Sequence, residues 1–307
     1  MKTAYISHPA CLTHDMGSVH PECPARLTAV ESQIKATGLM ERLSHYDAPK
    51  AQIEQLERAH TPAFITEITQ TAPKDGLKHI DGDTAMNPFT FEAALRAAGA
   101  GVLATDLILS GEIKSAFCKV RPPGHHAEKD TAMGFCFFNN IAVAALHAIE
   151  KHGLKRVAIV DFDVHHGNGT EDILAQNAQV LFCSTYQHPF YPGVAGKSIK
   201  SKVVNVPLAA GTGSELFQAA VKSQWLPELR DFKPELIFIS AGFDAHAEDN
   251  MSGFNLVDED YIWVTQEICK IADEFAQGRI ISMLEGGYDL ASLGRASSEH
   301  VRVLIEA

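Results

Sequence analysis

The chain has 307 residues, 46% of them hydrophobic, with 26 Lys and Arg against 38 Asp and Glu and a formal net charge of −12. That acidity disfavours nucleic acid, whose binding needs a basic patch, and favours cationic substrates. No apolar run of roughly 18 residues and no basic, apolar leader occurs, so neither membrane insertion nor export is expected and the cytoplasm is the expected compartment. Short β-branched runs alternate with longer helical patterns, the signature of a parallel sheet with crossover helices. In chain order a strand at 3–6 precedes a helix at 23–37, a weak strand near 44–47, helices at 51–58 and 89–110 and a strand at 115–120. A helix at 138–152 leads to strands at 156–161, 180–184 and 202–206, a helix at 214–230, a strand at 235–240, a helix at 258–276 and a strand at 279–284. Asp258 is expected to cap the helix that follows it. With no internal repeat, low-complexity tract or Pro/Ser-rich linker, one domain over 1–307 is expected, long enough to bury a sizeable core. The six cysteines, at 11, 23, 118, 136, 183 and 269, include no C-x-x-C pair and fit buried thiols in a reducing compartment.

The chemistry-bearing residues follow the apolar runs. In VAIVDFDVHHGNG, 157–169, Asp161, Asp163 and His165 alternate with apolar residues, and period two places all three on one face of an extended strand. LIFISAGFDAH, 236–246, ends in the same way with Asp244, and RIISMLEGGYDL, 279–290, delivers Tyr288. SAFCKVRPPGHH, 115–126, delivers the tandem His125 and His126. Ligands of open α/β sheets sit beyond the carboxyl ends of the strands, where His125, Asp163, Asp244 and Tyr288 all fall. The inventory suffices for a metal-dependent hydrolase.

RPPGHH (121–126), GFCFFNN (134–140), DFDVHHGNGT (161–170), GFDAH (242–246) and EGGY (285–288), in this order, resemble the zinc-dependent histone deacetylase family. That family includes bacterial deacetylase-like amidohydrolases and acetylpolyamine amidohydrolases. The likeness runs from HPECPARL at 20–27 to the last helix, and Asn168 and Glu285 are similar to the class II branch. The resemblance implies an α/β fold: a single-domain three-layer α/β/α sandwich with a central, mainly parallel eight-stranded sheet, as in the arginases and deacetylases. It also implies a zinc-dependent amidohydrolase that removes acetyl or other acyl groups from lysine side chains with a metal-activated water.

Asp163, His165 and Asp244 would hold one catalytic Zn²⁺; an O, N, O set leaves positions open for water and substrate. By the family pattern His126 is the general base and then the acid toward the leaving amine, His125 gives electrostatic support, and Asp161 and Asn168 orient His125 and His126 respectively. Asn168 stands where many members carry Asp, and an amide stabilises an imidazolium less than a carboxylate does, so a lowered His126 pKa is expected. Tyr288, which some weak family members replace by His, would donate to the oxyanion of the tetrahedral intermediate.

Gly134, Phe135 and Tyr191 match an apolar tube around the acyl-lysine stem. Met251 replaces the usual Leu and argues against the Glu found in a polyamine-specific relative. Asp83 aligns with a rim residue that holds substrate backbone, or else caps its own loop. Arg26 resembles the arginine of the product-acetate exit, with a surface ion pair as the plainer reading. A structural K⁺ is implied at the Asp161 side chain, the Ser184 hydroxyl and backbone carbonyls including that of Thr185.

Asn250 replaces a proline usual before the Met251 position. Expected partners are an acyl-lysine protein or peptide, or a small acylated amine such as an acetylpolyamine; homo-oligomerisation is left open. Two further readings stand beside the leading one. A binuclear arginase-like centre lacks its added ligands, because Gly167 and His246 occupy those positions. An acyl-lysine reader without turnover is disfavoured by the retained His125, His126 and Tyr288.

Overall fold

The computed structural model describes residues 2–307. Its ten strands are β1 (Thr3–Ser7), β2 (Leu43–Asp47), β3 (Lys78–His79), β4 (Ala85–Met86), β5 (Ser115–Cys118), β6 (Val157–Asp161), β7 (Val180–Gln187), β8 (Val203–Leu208), β9 (Leu236–Ala241) and β10 (Ile280–Leu284). The eight strands expected from the sequence pair in the order β2-β1-β5-β10-β9-β6-β7-β8. Every pair in this sheet is parallel, where a mainly parallel one was expected. β3 and β4 form a separate antiparallel ribbon whose turn carries Asp83.

Burial explains which strands read clearly. Every residue of β5, β6, β9 and β10 is buried, as a sheet covered on both faces requires. The edge strand β2 buries only Leu43, the rest alternating half-buried and exposed, and its sequence signal is correspondingly weak. Alternation along β10 identifies the two covering layers. Ser282 Oγ meets His300 Nε2 of helix Leu290–Glu306 at 2.7 Å, whereas the next residue, Met283, lies against Gly101 of helix Thr90–Leu109.

Three α-helices lay outside the sequence reading. Pro62–Thr71 is capped by Thr61, whose hydroxyl accepts the Phe64 N–H at 3.2 Å, and Leu290–Glu306 is capped by Asp289, which accepts the Ser292 N–H at 2.9 Å. Asn168–Leu174 is a short helix beginning at a candidate site residue. Asp258 is the first helical residue of Asp258–Phe275 and not its cap; the Val257 N–H instead donates to Asp260 Oδ2, one turn in, at 3.1 Å. The helix expected at 214–230 is Ser214–Ala220, one π turn at Val221–Trp225, and Leu226–Phe232. Pro227 has no N–H to return to the preceding turn, which accounts for the change in winding. All six cysteines are free, five buried and Cys23 half-buried. No helix of the described residues is long and apolar enough to cross a membrane.

Candidate metal centre and its cavity

The sheet order gathers the motifs. β5, β10, β9 and β6 are consecutive neighbours, so the segments leaving their carboxyl ends, to His126, Tyr288, Asp244 and His165, share one rim although they span more than half the chain. Asp163, His165 and Asp244 are buried and face one another. His165 Nδ1 lies 3.0 Å from Asp163 Oδ1 and 3.2 Å from Asp244 Oδ2. Tetrahedral zinc with bonds of about 2.0–2.1 Å separates its ligands by roughly 3.3 Å, so the donor set fits that ion. Its electrostatics seek positive charge: burial works against an imidazolium at His165, yet Asp163 and Asp244 raise its pKa to about 10. Backbone donors fix the carboxylates, with the Val164 N–H on Asp244 Oδ1 at 3.0 Å and the Gly286 N–H on Asp163 Oδ2 at 2.9 Å. A Cβ at Gly286 would overlap both carboxylates.

His125 and His126 lie above this group with ring centroids 4.0 Å apart. His125 Nδ1 is 2.9 Å from Asp161 Oδ2, and its Nε2 is 3.8 Å from Asp163 Oδ2. Burial disfavours its charge, but Asp161 and Asp163 outweigh burial and raise its pKa to about 10. His126 differs. Burial, with the charges of His125 and His165 beside it, holds it well below the ordinary imidazole range, and its Nδ1 is 2.7 Å from Asn168 Oδ1. Glu285 supports the pair from below. Its Oε2 accepts the N–H groups of Gly124 (2.7 Å) and His125 (3.2 Å), its Oε1 accepts from Ser240 Oγ (3.1 Å), and burial raises its pKa to about 7.

A cavity of about 170 Å³ opens onto these groups, lined by Asp83, His126, Gly134, Phe135, His165, Phe190, Tyr191, Met251 and Tyr288. Phe135 meets Tyr288 edge-on at 5.9 Å, and Tyr191 meets His126 edge-on at 5.1 Å. Phe190, which the sequence did not single out, stacks on His165 at 5.4 Å. Gly134 has φ +55°, and a Cβ there would come within 2.5 Å of the His126 ring. Asp83 lines the cavity, and its Oδ1 accepts from Thr84 Oγ1 at 2.8 Å; the cap of this loop is Asp81, whose Oδ1 accepts the N–H groups of Asp83 at 3.0 Å and Thr84 at 2.7 Å. Burial, reinforced by the Asp244 charge, raises the Tyr288 hydroxyl well above 10 and keeps it protonated.

Two buried residues hold Tyr288. Arg26 has its guanidinium 4.9 Å from the Tyr288 ring centroid and donates to the carbonyls of Gly287 and Glu285, both at 2.5 Å, and to Glu22. It is fully buried, so the surface ion pair is ruled out. Asp249, absent from the sequence reading, is 4% exposed and accepts three backbone N–H groups: Met251 on Oδ1 at 2.9 Å, and Tyr288 and Asp289 on Oδ2 at 2.6 and 3.0 Å. An Asp two residues before Met251 was the available signal.

Ser184 Oγ is buried without a hydrogen-bond partner, and Ser184 pairs with Asp161 in the β6–β7 register, with Thr185 buried next to it. His246 points elsewhere, with Nε2 3.4 Å from Asp258 Oδ1. A second His/Asp group, Asp106, His147 and His152, shares no residue with these motifs. There Arg58 Nη1 sits 2.7 Å from His147 Nδ1, and both histidines hydrogen-bond Asp106, so the group satisfies itself.

Residues 20–304 match the family model of the histone deacetylase domain. The chain is 35% identical to the histone deacetylase-like amidohydrolase of Pseudomonas aeruginosa, covering 94% of this chain and 82% of that one. It is 34% identical to the human polyamine deacetylase HDAC10 over 99% of this chain and 48% of that one. Among solved structures, the crystal structure of the HDA15 HD domain superposes with a TM-score of 0.94 at 34% identity, covering 99% of this chain and 90% of that one. With the same α/β architecture and the motif-bearing segments gathered at one rim, the chain belongs to the histone deacetylase family.

Proposed function

We propose that this protein is a zinc-dependent amidohydrolase that removes acetyl or other acyl groups from lysine side chains in the cytoplasm. The observation that carries the reading is the convergence of Asp163, His165 and Asp244 beside His125, with His165 opening onto the aromatic-walled cavity that His126 and Tyr288 also line. A zinc ion held by the three ligands would supply Lewis acidity, activating water and polarising the amide carbonyl. His126, kept neutral and carrying its proton on Nδ1, presents a free Nε2 to take a proton and later deliver it to the departing amine. His125 keeps its charge and offsets that of the buried carboxylates. The protonated Tyr288 hydroxyl donates to the oxygen that becomes negative.

Phe135, Tyr191 and Gly134 would shape the channel for an aliphatic stem, Met251 its apolar rim, and Asp83 the contact with substrate backbone. A K⁺ ion would take the Asp161 side chain, Ser184 Oγ and backbone carbonyls including that of Thr185, which would give the unpartnered hydroxyl its contact. Acetylpolyamine hydrolysis is the second reading, favoured by the net charge of −12 and opposed by Met251. The test is a hydrolysis panel of acetyl-, longer acyl- and trifluoroacetyl-lysine peptides beside acetylputrescine and acetylspermidine, with zinc-loaded enzyme and a Tyr288→Phe control. Turnover of lysine peptides, lost in the control by roughly 100-fold or more, supports the proposal. Turnover of polyamines alone transfers it to the second reading, and acyl-lysine binding without any hydrolysis makes the protein a reader.

A further inference from the structure

We infer that Glu128 is a positioning residue for His126, acting through the amide of Asn168. The inference rests on reading His126 as the base and adds what fixes its tautomer. The two ends of an asparagine amide have nearly the same shape, so packing alone does not decide whether oxygen or nitrogen faces the imidazole. Here Asn168 Nδ2 lies 2.7 Å from Glu128 Oε1, while Asn168 Oδ1 lies 2.7 Å from His126 Nδ1. A carboxylate only accepts, so Glu128 takes the amide N–H and turns the amide oxygen toward His126. His126 must then carry its proton on Nδ1, which leaves the Nε2 lone pair free. With the amide reversed, Nδ2 would donate to Nδ1, the ring proton would move to Nε2, and no base would face the cavity.

Met133 Sδ, 3.3 Å from Asn168 Nδ2, is a weak acceptor and a poor substitute for a carboxylate. The Glu128 main chain is pinned on both sides: its N–H donates to the Thr131 carbonyl at 2.9 Å, and its carbonyl accepts from His60 Nδ1 at 3.0 Å. Its side chain is half-buried on the wall of an open cavity of about 640 Å³ shared with Asn168, Glu171 and Asp172. The orientation of the buried histidine is therefore set by a group that itself borders this cavity.

The experiment compares Glu128→Gln, Glu128→Ala and Glu128→Lys in the zinc-loaded protein, reading kcat and KM on the best acyl-amine of the panel, and the His126 tautomer by ¹⁵N–¹H NMR of the imidazole. Gln still offers an oxygen to Asn168 Nδ2 and is expected to keep kcat within about threefold and the Nδ1–H tautomer. Ala is expected to lower kcat/KM by roughly 10–100-fold, the usual effect of losing such an outer partner, mainly in kcat, with the Nε2–H form appearing. Lys donates where Glu accepts, favours the reversed amide, and is expected to fall furthest. Because Gln and Lys both retain a long side chain, their contrast separates orientation from loss of packing. Wild-type kcat and an unchanged tautomer in both Ala and Lys variants overturn the inference. A His126→Ala variant that keeps its rate refutes instead the reading of His126 as base, while the tautomer measurement still decides what Glu128 does.

Discussion

Asp249→Asn isolates how much of the site depends on a loop clamp and not on the groups that touch substrate. The carboxylate accepts from Met251, Tyr288 and Asp289, tying the rim loop and the Tyr288 loop to one buried side chain. Asparagine has nearly the same shape but one oxygen and one NH₂. Either orientation leaves at least one of the three backbone N–H groups facing another donor. A hydrogen bond to a charged group contributes about 1.5–3 kcal/mol. If that loss falls on the placement of the Tyr288 hydroxyl, kcat drops by roughly 10–150-fold, since 1.36 kcal/mol is tenfold. Any part not felt in the rate lowers the melting temperature, by about 2–4 °C per kcal/mol for a large domain. Steady-state kinetics with calorimetry on the same preparation measures both, and zinc content should stay at one per chain because no ligand atom is moved. A variant with wild-type kcat and wild-type melting temperature would refute the clamp.

Gly134→Ala forces a left-handed backbone and puts a methyl against the His126 ring; strain of about 1–2 kcal/mol is expected, together with a kcat loss that exceeds any change in KM, and a fully active variant would contradict the packing described. His300, buried between Thr265 Oγ1 and Ser282 Oγ at 2.7 Å each, has its pKa lowered by burial to about 3. The unfolded chain takes up that proton near pH 6.5 while the folded one does not. Stability is thus fully present above pH 6.5 and falls toward pH 3 by up to about 1.4 kcal/mol per pH unit, and urea midpoints for His300→Asn should show a flatter acid limb. Zinc chelation should abolish hydrolysis and lower the melting temperature, both restored by stoichiometric metal; unchanged activity after verified metal removal would sink the metal-dependent reading. Potassium in place of choline should raise the melting temperature of the wild type more than that of Ser184→Val, and an equal rise in both would remove the ion from Ser184.

Most of the frame was legible because a strand buried on both faces writes itself as a continuous apolar run, as in Val157–Asp161 and Leu236–Ala241. Ligand-type residues just beyond such runs were visible for the same reason, since the topology must bring strand ends to one rim. The pairing order was not legible: nothing in 280–284 says that this segment inserts between β5 and β9. The helix at 62–71 was announced by Thr61-Pro62, a cap followed by a first-turn proline, and was overlooked beside stronger patterns. Asp249, Glu128 and Phe190 escaped because each acts on a neighbour distant in sequence: the Tyr288 backbone, the Asn168 amide and the His165 ring. No local periodicity encodes such a contact.

The insertion of β10 has a consequence for how the chain acquires its shape. Until residues 280–284 arrive, β2-β1-β5 and β9-β6-β7-β8 are two half-sheets, each with an unpaired inner edge. The segment that joins them comes from near the end of the described residues and also delivers the Gly286 N–H to Asp163 and the Tyr288 loop. Joining of the halves and completion of the metal pocket are therefore one event, dominated by contacts between segments far apart in sequence, and slow on that account. A chain interrupted before residue 280 would expose two sticky strand edges and only part of the metal pocket, a species suited to aggregation and not to partial activity.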